Sequence, residues 1–245
     1  MVAQVHFATY GDSRFERSRT RIIAEVNATG WFDKATAYTP ETLSAEYKES
    51  PFWEMRTQRG GGYWAWKFDV IRQELKVMQE GDLLVYADAG CTINPKGSVR
   101  FRQYLEMARM WEPGVVSFQM PQHPEFKWTT REIVASVGRN ANTPPVLRSG
   151  QLHATVMIFR KSAAVDDLIE ECWRIINKNP LLITDYYNKA GQAPGFIDNR
   201  HDQSILSVMR KVRGCKAIPR DETGSYLWPN KAGLDYPIWG TRRRE

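Results

Sequence analysis

The alternation of short apolar runs with longer amphipathic ones constrains this chain most tightly. VAQVHFAT, near the amino end, reads as a strand that breaks at Gly11. Ser13-x-x-Glu16 then has capping-box spacing, and Phe15, Ile22, Ile23 and Val26 share one face of the helix it opens, which ends near Gly30. After the short segment KATAY, Thr39-Pro40-Glu41 carries the cap, first-turn proline and acidic residue of another helix start. Trp64, Phe68, Ile71, Leu75 and Met78 keep helical spacing, and Gly81-Asp82 leads into LLVYA, a buried strand. The pattern continues with a helix over 97–111, a strand at VVSF, a capping box at Thr129-x-x-Glu132, a loop over 139–150 and a strand LHATVMIF. A helix capped by Ser162 and a last one carrying Ile205, Val208, Met209 and Val212 complete it.

Parallel strands need helical crossovers, so this order predicts an α/β sandwich with a largely parallel sheet. The chain of 245 residues suits one domain, 1–245, with 216–245 as a carboxyl-terminal extension or acceptor-side tail. Open sheets of this kind bind ligands outside the carboxyl ends of their strands. Thr9-Tyr10-Gly11, Asp88-Ala89-Gly90 and Arg160-Lys161 are the strand ends that qualify.

Composition narrows the partners. The apolar runs fall well short of the roughly 18 residues of a spanning helix, and no signal segment is visible, so a cytoplasmic location is expected. Three dispersed cysteines with no CxxC spacing argue against a disulfide framework and a cysteine zinc site. With 34 basic against 28 acidic side chains, the net charge of +6 favours an anionic partner without naming it. Nine tryptophans offer faces for bases or sugars as well as core volume.

Three local patterns could carry chemistry. Asp88 ends a strand, where a lone carboxylate suits Mg²⁺ or Mn²⁺ bound mainly through substrate phosphates, or equally caps a turn. In RGGGYWAWK, 59–67, the glycines permit close backbone approach, and Arg59 or Lys67 could neutralise a diphosphate; the simpler reading is a turn whose tryptophans fill the core. Arg200-His201-Asp202-Gln203-Ser204 opens a helix with side chains fit for acid/base work or ligation, though Asp202 could be a cap and no more. His6 and His153 read as core or rim residues and His123 as a loop residue.

Taken in order, VHFATYGD, RGGGYWAWK, LLVYADAGC, QLHATVMIFRKS and RHDQSILS resemble the small bacterial and viral nucleotide-sugar glycosyltransferases of the GT-A fold over roughly residues 2–215. The resemblance implies a GT-A (Rossmann-like) three-layer sandwich with a mainly parallel central sheet. It implies that Thr9, Tyr10 and Gly11 hold the nucleoside, with Arg17 or Arg21 near the phosphates and Lys67, Trp66 and Arg59 in the donor pocket. Asp88-Ala89-Gly90 takes the place of the acidic metal motif, with Asp88 the metal ligand and Gly90 where a second carboxylate usually stands. His201 or Asp202 could add a ligand to Mn²⁺ or Mg²⁺. Asp202 and Gln203 would contact sugar or acceptor, Asp202 as base in an inverting reaction, and Gln151 would line the sugar pocket.

The expected activity is therefore transfer of a sugar from a UDP- or GDP-linked donor to a glycan, polysaccharide or lipid-linked acceptor hydroxyl, with divalent-metal assistance. The competing readings are a sugar-phosphate nucleotidyltransferase and a non-catalytic nucleic-acid binder. The second ranks low because the basic residues are dispersed, so no nucleic-acid partner is expected. The terminal TRRRE reads as a solvated tail, or as a contact with an anionic membrane. Trp64 is expected in the core and Trp66 toward the donor, with the Trp128, Trp228 and Trp239 regions along an acceptor cleft.

Overall fold

The computed structural model describes residues 3–224 and 233–244; Trp228 and Glu245 lie outside them. The elements run β1 (Val5–Tyr10), α1 (Glu16–Thr29), β2 (Lys34–Tyr38), α2 (Ala45–Glu49), α3 (Pro51–Glu54), a short turn α4 (Gly60–Tyr63), α5 (Trp66–Val77), β3 (Leu83–Ala87) and β4 (Thr92–Ile93). There follow α6 (Ser98–Met110), β5 (Val115–Pro124), α7 (Glu125–Trp128), α8 (Arg131–Val137), α9 (Pro144–Arg148), β6 (Gly150–Leu152) and β7 (Val156–Arg160). The chain continues through α10 (Ala163–Lys178), α11 (Asp202–Arg213), β8 (Lys216–Ile218) and β9 (Ile238–Trp239).

The central sheet is ordered β2-β1-β3-β7-β5-β6, with β8 also paired to β5. β1 is parallel to β2 and β3, β7 is antiparallel to β3 and β5, and β8 is parallel to β5. Hence β1, β2, β3, β5 and β8 run one way and β6 and β7 the other. The sheet is mainly parallel, as the helical crossovers require.

The period of two along each strand supplies both faces of the sandwich. Leu84 and Tyr86 join α5, α10 and α11 in one core, whereas Leu83, Val85 and Ala87 pack with Ile22 and Val26 of α1 and with Phe101 and Tyr104 of α6. This is the expected three-layer α/β sandwich with a mainly parallel central sheet.

Local details differ from the sequence reading for identifiable reasons. Asp12, not Ser13, caps the first helical turn by accepting from the Arg14 amide, and a 3₁₀ turn over 13–15 precedes α1. Thr130, not Thr129, caps α8, because the Thr129 hydroxyl is turned to the buried Glu125 carboxylate at 2.5 Å. LHATVMIF is two strands: the chain leaves β6 at His153, which stacks on Phe118 at 5.3 Å, and re-enters the sheet at Val156. The 139–150 stretch holds the short α9, started by prolines in its first turn.

The segment beyond α11 is built into the fold. β8 lies beside β5, the buried Glu222 accepts from Arg100 at 2.7 and 2.8 Å and from Tyr104, and β9 pairs with β4. The 241–244 run is not a free solvated tail at its backbone. Arg243 N–H donates to Gly90 O at 3.0 Å, the Thr241 hydroxyl donates to the same oxygen at 2.8 Å, and Ser18 donates to Arg243 O at 3.2 Å.

Candidate active site

Because β1 and β3 are parallel neighbours, Thr9-Tyr10-Gly11 and Asp88-Ala89-Gly90 leave the sheet at one edge. Alternation along β3 puts Asp88 on the Tyr86 face, beneath the start of α5, and the Tyr86 hydroxyl donates to Asp88 Oδ1 at 2.7 Å. Lys67, in the first turn of α5, reaches this point with its stem fully buried. Its ammonium lies 2.7 Å from Asp202 Oδ2 and 3.4 Å from Asp88 Oδ1, and donates to Ala154 O at 3.0 Å. Asp202 arrives as the first residue of α11, where the helix dipole favours a carboxylate. Three motifs far apart in sequence thus meet on one buried cation.

The electrostatics follow from burial. Burial alone would depress the Lys67 pKa, but the carboxylates of Asp202 and then Asp88 outweigh it and raise it. Burial pushes the Asp202 carboxyl above its ordinary range, with the Lys67 ammonium pulling the other way. Asp88 is the open member of the set, its side chain 33 % exposed against 7 % for Asp202.

RGGGYWAWK folds in an unforeseen way. Gly60, Gly61, Gly62, Tyr63 and Trp64 all have φ between 55° and 95°, and Tyr63 N–H donates to Arg59 O and Trp64 N–H to Gly60 O. The result is one turn of left-handed helix, a conformation that L-residues rarely adopt in succession. The glycines serve this turn. A side chain at Gly62 would also stand 2.8 Å from Phe52 O, so the close approach is to the protein's own backbone. Trp66 closes the turn by donating to Gly60 O at 2.9 Å and stacks on Tyr10 at 4.0 Å. Trp66 is therefore buried behind the Thr9-Tyr10-Gly11 strand end and is more enclosed than Trp64, which packs partly buried against the same core.

Trp64 and Tyr63 pack on His201 with ring centroids at 5.1 and 5.6 Å. His201 has φ 56° and ψ −123°, a strained backbone for a non-glycine residue immediately before a helix. Its Nε2 is 2.9 Å from Asp185 Oδ1, which also pairs with Arg59 at 3.2 Å. Asp185 was missed in the sequence, since nothing in TDYYN marks it as the residue that fixes His201. Arg59 is exposed and occupied by this pair.

The other expected residues divide. Thr9 is wholly buried with a hydroxyl that has no hydrogen-bond partner, and Gly11 is packed against Phe15, to which a Cβ would come within 2.7 Å. Arg21 donates to Ala89 O at 3.1 Å and belongs to this edge, whereas Arg17 is exposed on α1. Gln203 donates to Gln151 Oε1 at 2.6 Å and accepts from Ala154 N–H, and Gln151 donates in turn to Glu125 and Thr129. At 1 % exposure Gln151 is an internal strut and does not line a pocket. Trp128 carries the Arg200 guanidinium 4.2 Å above its ring.

A divalent cation requires oxygen ligands that are not already spent. Among the described residues no group of three or more His, Cys, Asp or Glu side chains could hold one. Asp88 Oδ1 already accepts from Tyr86, and the cation between Asp88 and Asp202 is the Lys67 ammonium. Among the described residues these side chains form no protein-held Mn²⁺ or Mg²⁺ site, and Asp88 is the carboxylate of the set that is open to solvent.

No family model and no curated protein matches the chain. Among solved structures, a glycosyltransferase involved in the glycosylation of the major capsid of PBCV-1 aligns with 96 % of this chain and 93 % of its own, at 10 % identity and TM-score 0.49. Mouse xyloside xylosyltransferase 1 aligns with 96 % and 97 %, at 11 % identity and TM-score 0.47. The WbbM bifunctional glycosyltransferase aligns with 89 % of this chain and 38 % of its own, at 11 % identity and TM-score 0.46. Likenesses this distant say nothing about chemistry. No helix among the described residues is long and apolar enough to cross a membrane.

Proposed function

We propose that the chain transfers a glycosyl group from a nucleoside-diphosphate sugar to an acceptor hydroxyl. One observation carries this reading: the Asp88 strand end and the α11 start converge on the buried Lys67 ammonium, at the sheet edge where the parallel neighbour β1 also ends. When a sugar leaves a diphosphate, negative charge grows on the departing phosphate oxygen. A buried cation fixed beside that oxygen stabilises the transition state more than the ground state. Lys67 is suited to this task, with Arg21 at the same edge.

In this reading Asp202 holds Lys67 charged and in place. Its carboxylate is too enclosed, and too firmly paired, to serve as the base first expected of it. Asp88 is the carboxylate open to ligand, and the Tyr86 hydroxyl fixes its orientation.

A panel of UDP- and GDP-linked sugars, assayed for nucleoside-diphosphate release with a mixed glycan acceptor, tests the proposal. Release that disappears in Lys67→Met and persists in Arg17→Gln supports it. Pyrophosphate release from a nucleoside triphosphate and a sugar phosphate, with no turnover of nucleotide sugars, would point to nucleotidyl transfer instead.

A further inference from the structure

Position 90 is where a second metal-binding carboxylate would stand, and the structure gives a physical reason for glycine there. A Cβ on Gly90 would lie 3.2 Å from Arg242 Cα and 3.4 Å from both Arg242 C and Arg243 O. The 241–243 backbone occupies that space, and Gly90 O receives both the Arg243 amide and the Thr241 hydroxyl. A side chain at position 90 would press on this segment, whose backbone would have to give by a few tenths of an ångström. The chain has exchanged a ligand for a cation with a segment that is itself cationic.

Several arginines stand around this edge. Arg242 has φ 54° in the left-handed region and an exposed side chain, and Arg244 lies 5.4 Å over the Phe15 ring. Burial disfavours the charged Arg200 guanidinium most, Asp198 favours it, and Arg242 and then Arg59 disfavour it to a smaller extent. Asp202 and Asp88 pair with Lys67, Asp185 pairs with Arg59 and His201, and Asp198 accepts from the Tyr187 hydroxyl at 2.6 Å and also favours the Arg200 charge. The bonds of residues 241 and 243 to Gly90 hold the exposed Arg242 at this edge, and a guanidinium placed there is suited to an anion.

We propose that the 241–244 segment is part of the donor site, and that Arg242, with Lys67 and Arg200, balances the diphosphate charge which the Asp88-Ala89-Gly90 edge leaves without a protein-held divalent ion. This deepens the glycosyl-transfer reading by assigning its diphosphate subsite, and it is tested separately by using inorganic pyrophosphate as the probe.

Pyrophosphate binding is measured by calorimetry on the full chain in EDTA and again with Mn²⁺, for wild type, Arg242→Gln and the distant exposed control Arg102→Gln. The expected result is binding in EDTA that weakens about tenfold in Arg242→Gln, as loss of a charge-assisted contact would cause, and is unchanged in Arg102→Gln. Arg242→Lys should recover part of the loss. Binding that requires Mn²⁺, or that is the same in Arg242→Gln and wild type, overturns the proposal. Pyrophosphate bound as expected with no nucleotide sugar turned over would sink the transfer reading and leave the anion site standing.

Discussion

Lys67 and Asp202 form a buried ion pair, 2.7 Å from Nζ to Oδ2, that ties the first turn of α5 to the first residue of α11. Removing one partner leaves the other charged and enclosed. Lys67→Met is expected to destabilise the fold by about 3 kcal/mol, and the double variant Lys67→Met/Asp202→Leu to recover most of that, because the cost lies in the unpaired charge. Urea denaturation of the three proteins checks this; a double variant as unstable as the single one would show that the pair is not the source.

The same pair sets a pH dependence. Burial raises the Asp202 carboxyl above 3.8, so the group takes up its proton at a higher pH than a free aspartate. Since Asp202 must be ionised to hold Lys67, kcat/KM should fall as pH drops through that raised value. The stability term has the opposite sign: the folded state prefers the protonated acid, so this group's contribution declines as pH rises from 3.8 to the folded pKa. Asp202→Asn should abolish the acid limb. A limb that survives in Asp202→Asn would assign it to another group.

The left-handed turn makes a graded prediction. Gly62 has φ 95° and Phe52 O within 2.8 Å of a would-be Cβ, whereas Gly30 has φ 65° and nothing within 4 Å. Gly30→Ala should cost about 1 kcal/mol of backbone strain, and Gly62→Ala about 3 kcal/mol because steric displacement adds to it. Equal costs in chemical denaturation would mean that the turn relaxes freely.

These residues also show what could be read in the sequence. The strand and helix periods exposed the sandwich, because burial on both faces of β3 leaves a run such as LLVYA that few other environments tolerate. Lys67, Asp88 and Asp202 stood out because each falls at an element end on the expected edge. Their mutual contact was hidden, since it depends on how α5 and α11 cross the sheet. Asp185 and Arg242 were hidden more deeply. Each acts through a loop whose path is fixed by distant partners, His201 for the first and Gly90 for the second. Gln151 misled for the converse reason, because a polar residue near a site and one inside a buried network look alike without coordinates.

Asp185 holds His201, the residue that leads into Asp202 at the start of α11, so its replacement should separate function from stability. The Asp185 side chain is 42 % exposed, and such a pair contributes at most about 1 kcal/mol to folding. Asp185→Ala should leave the melting temperature within a few degrees of wild type and lower kcat about tenfold, as His201 loses its orientation. Asp185→Asn, which retains one acceptor oxygen, should recover part of the rate. A rise in KM with kcat unchanged would place Asp185 in binding instead.

The anchorage of the 238–244 segment gives the last prediction. Gly97 has φ −79°, a conformation open to any residue, yet a Cβ there would lie 2.3 Å from Pro237 Cα and 2.4 Å from its nitrogen. These are backbone-ring atoms that cannot swing aside, so Gly97→Ala must push residues 236–238 off the start of α6. Asn94 holds the same stretch by donating to Leu234 O and Tyr236 O. Gly97→Ala should therefore cost about 2 kcal/mol through overpacking. It should also weaken pyrophosphate binding about tenfold, as Arg242→Gln does, although Gly97 itself faces Pro237 and not the Asp88 edge. Combining Gly97→Ala with Arg242→Gln should add little further loss of affinity, since both remove one guanidinium from one place. Fully additive losses in calorimetry would show that the two substitutions act independently, and that the packing of this segment does not position Arg242.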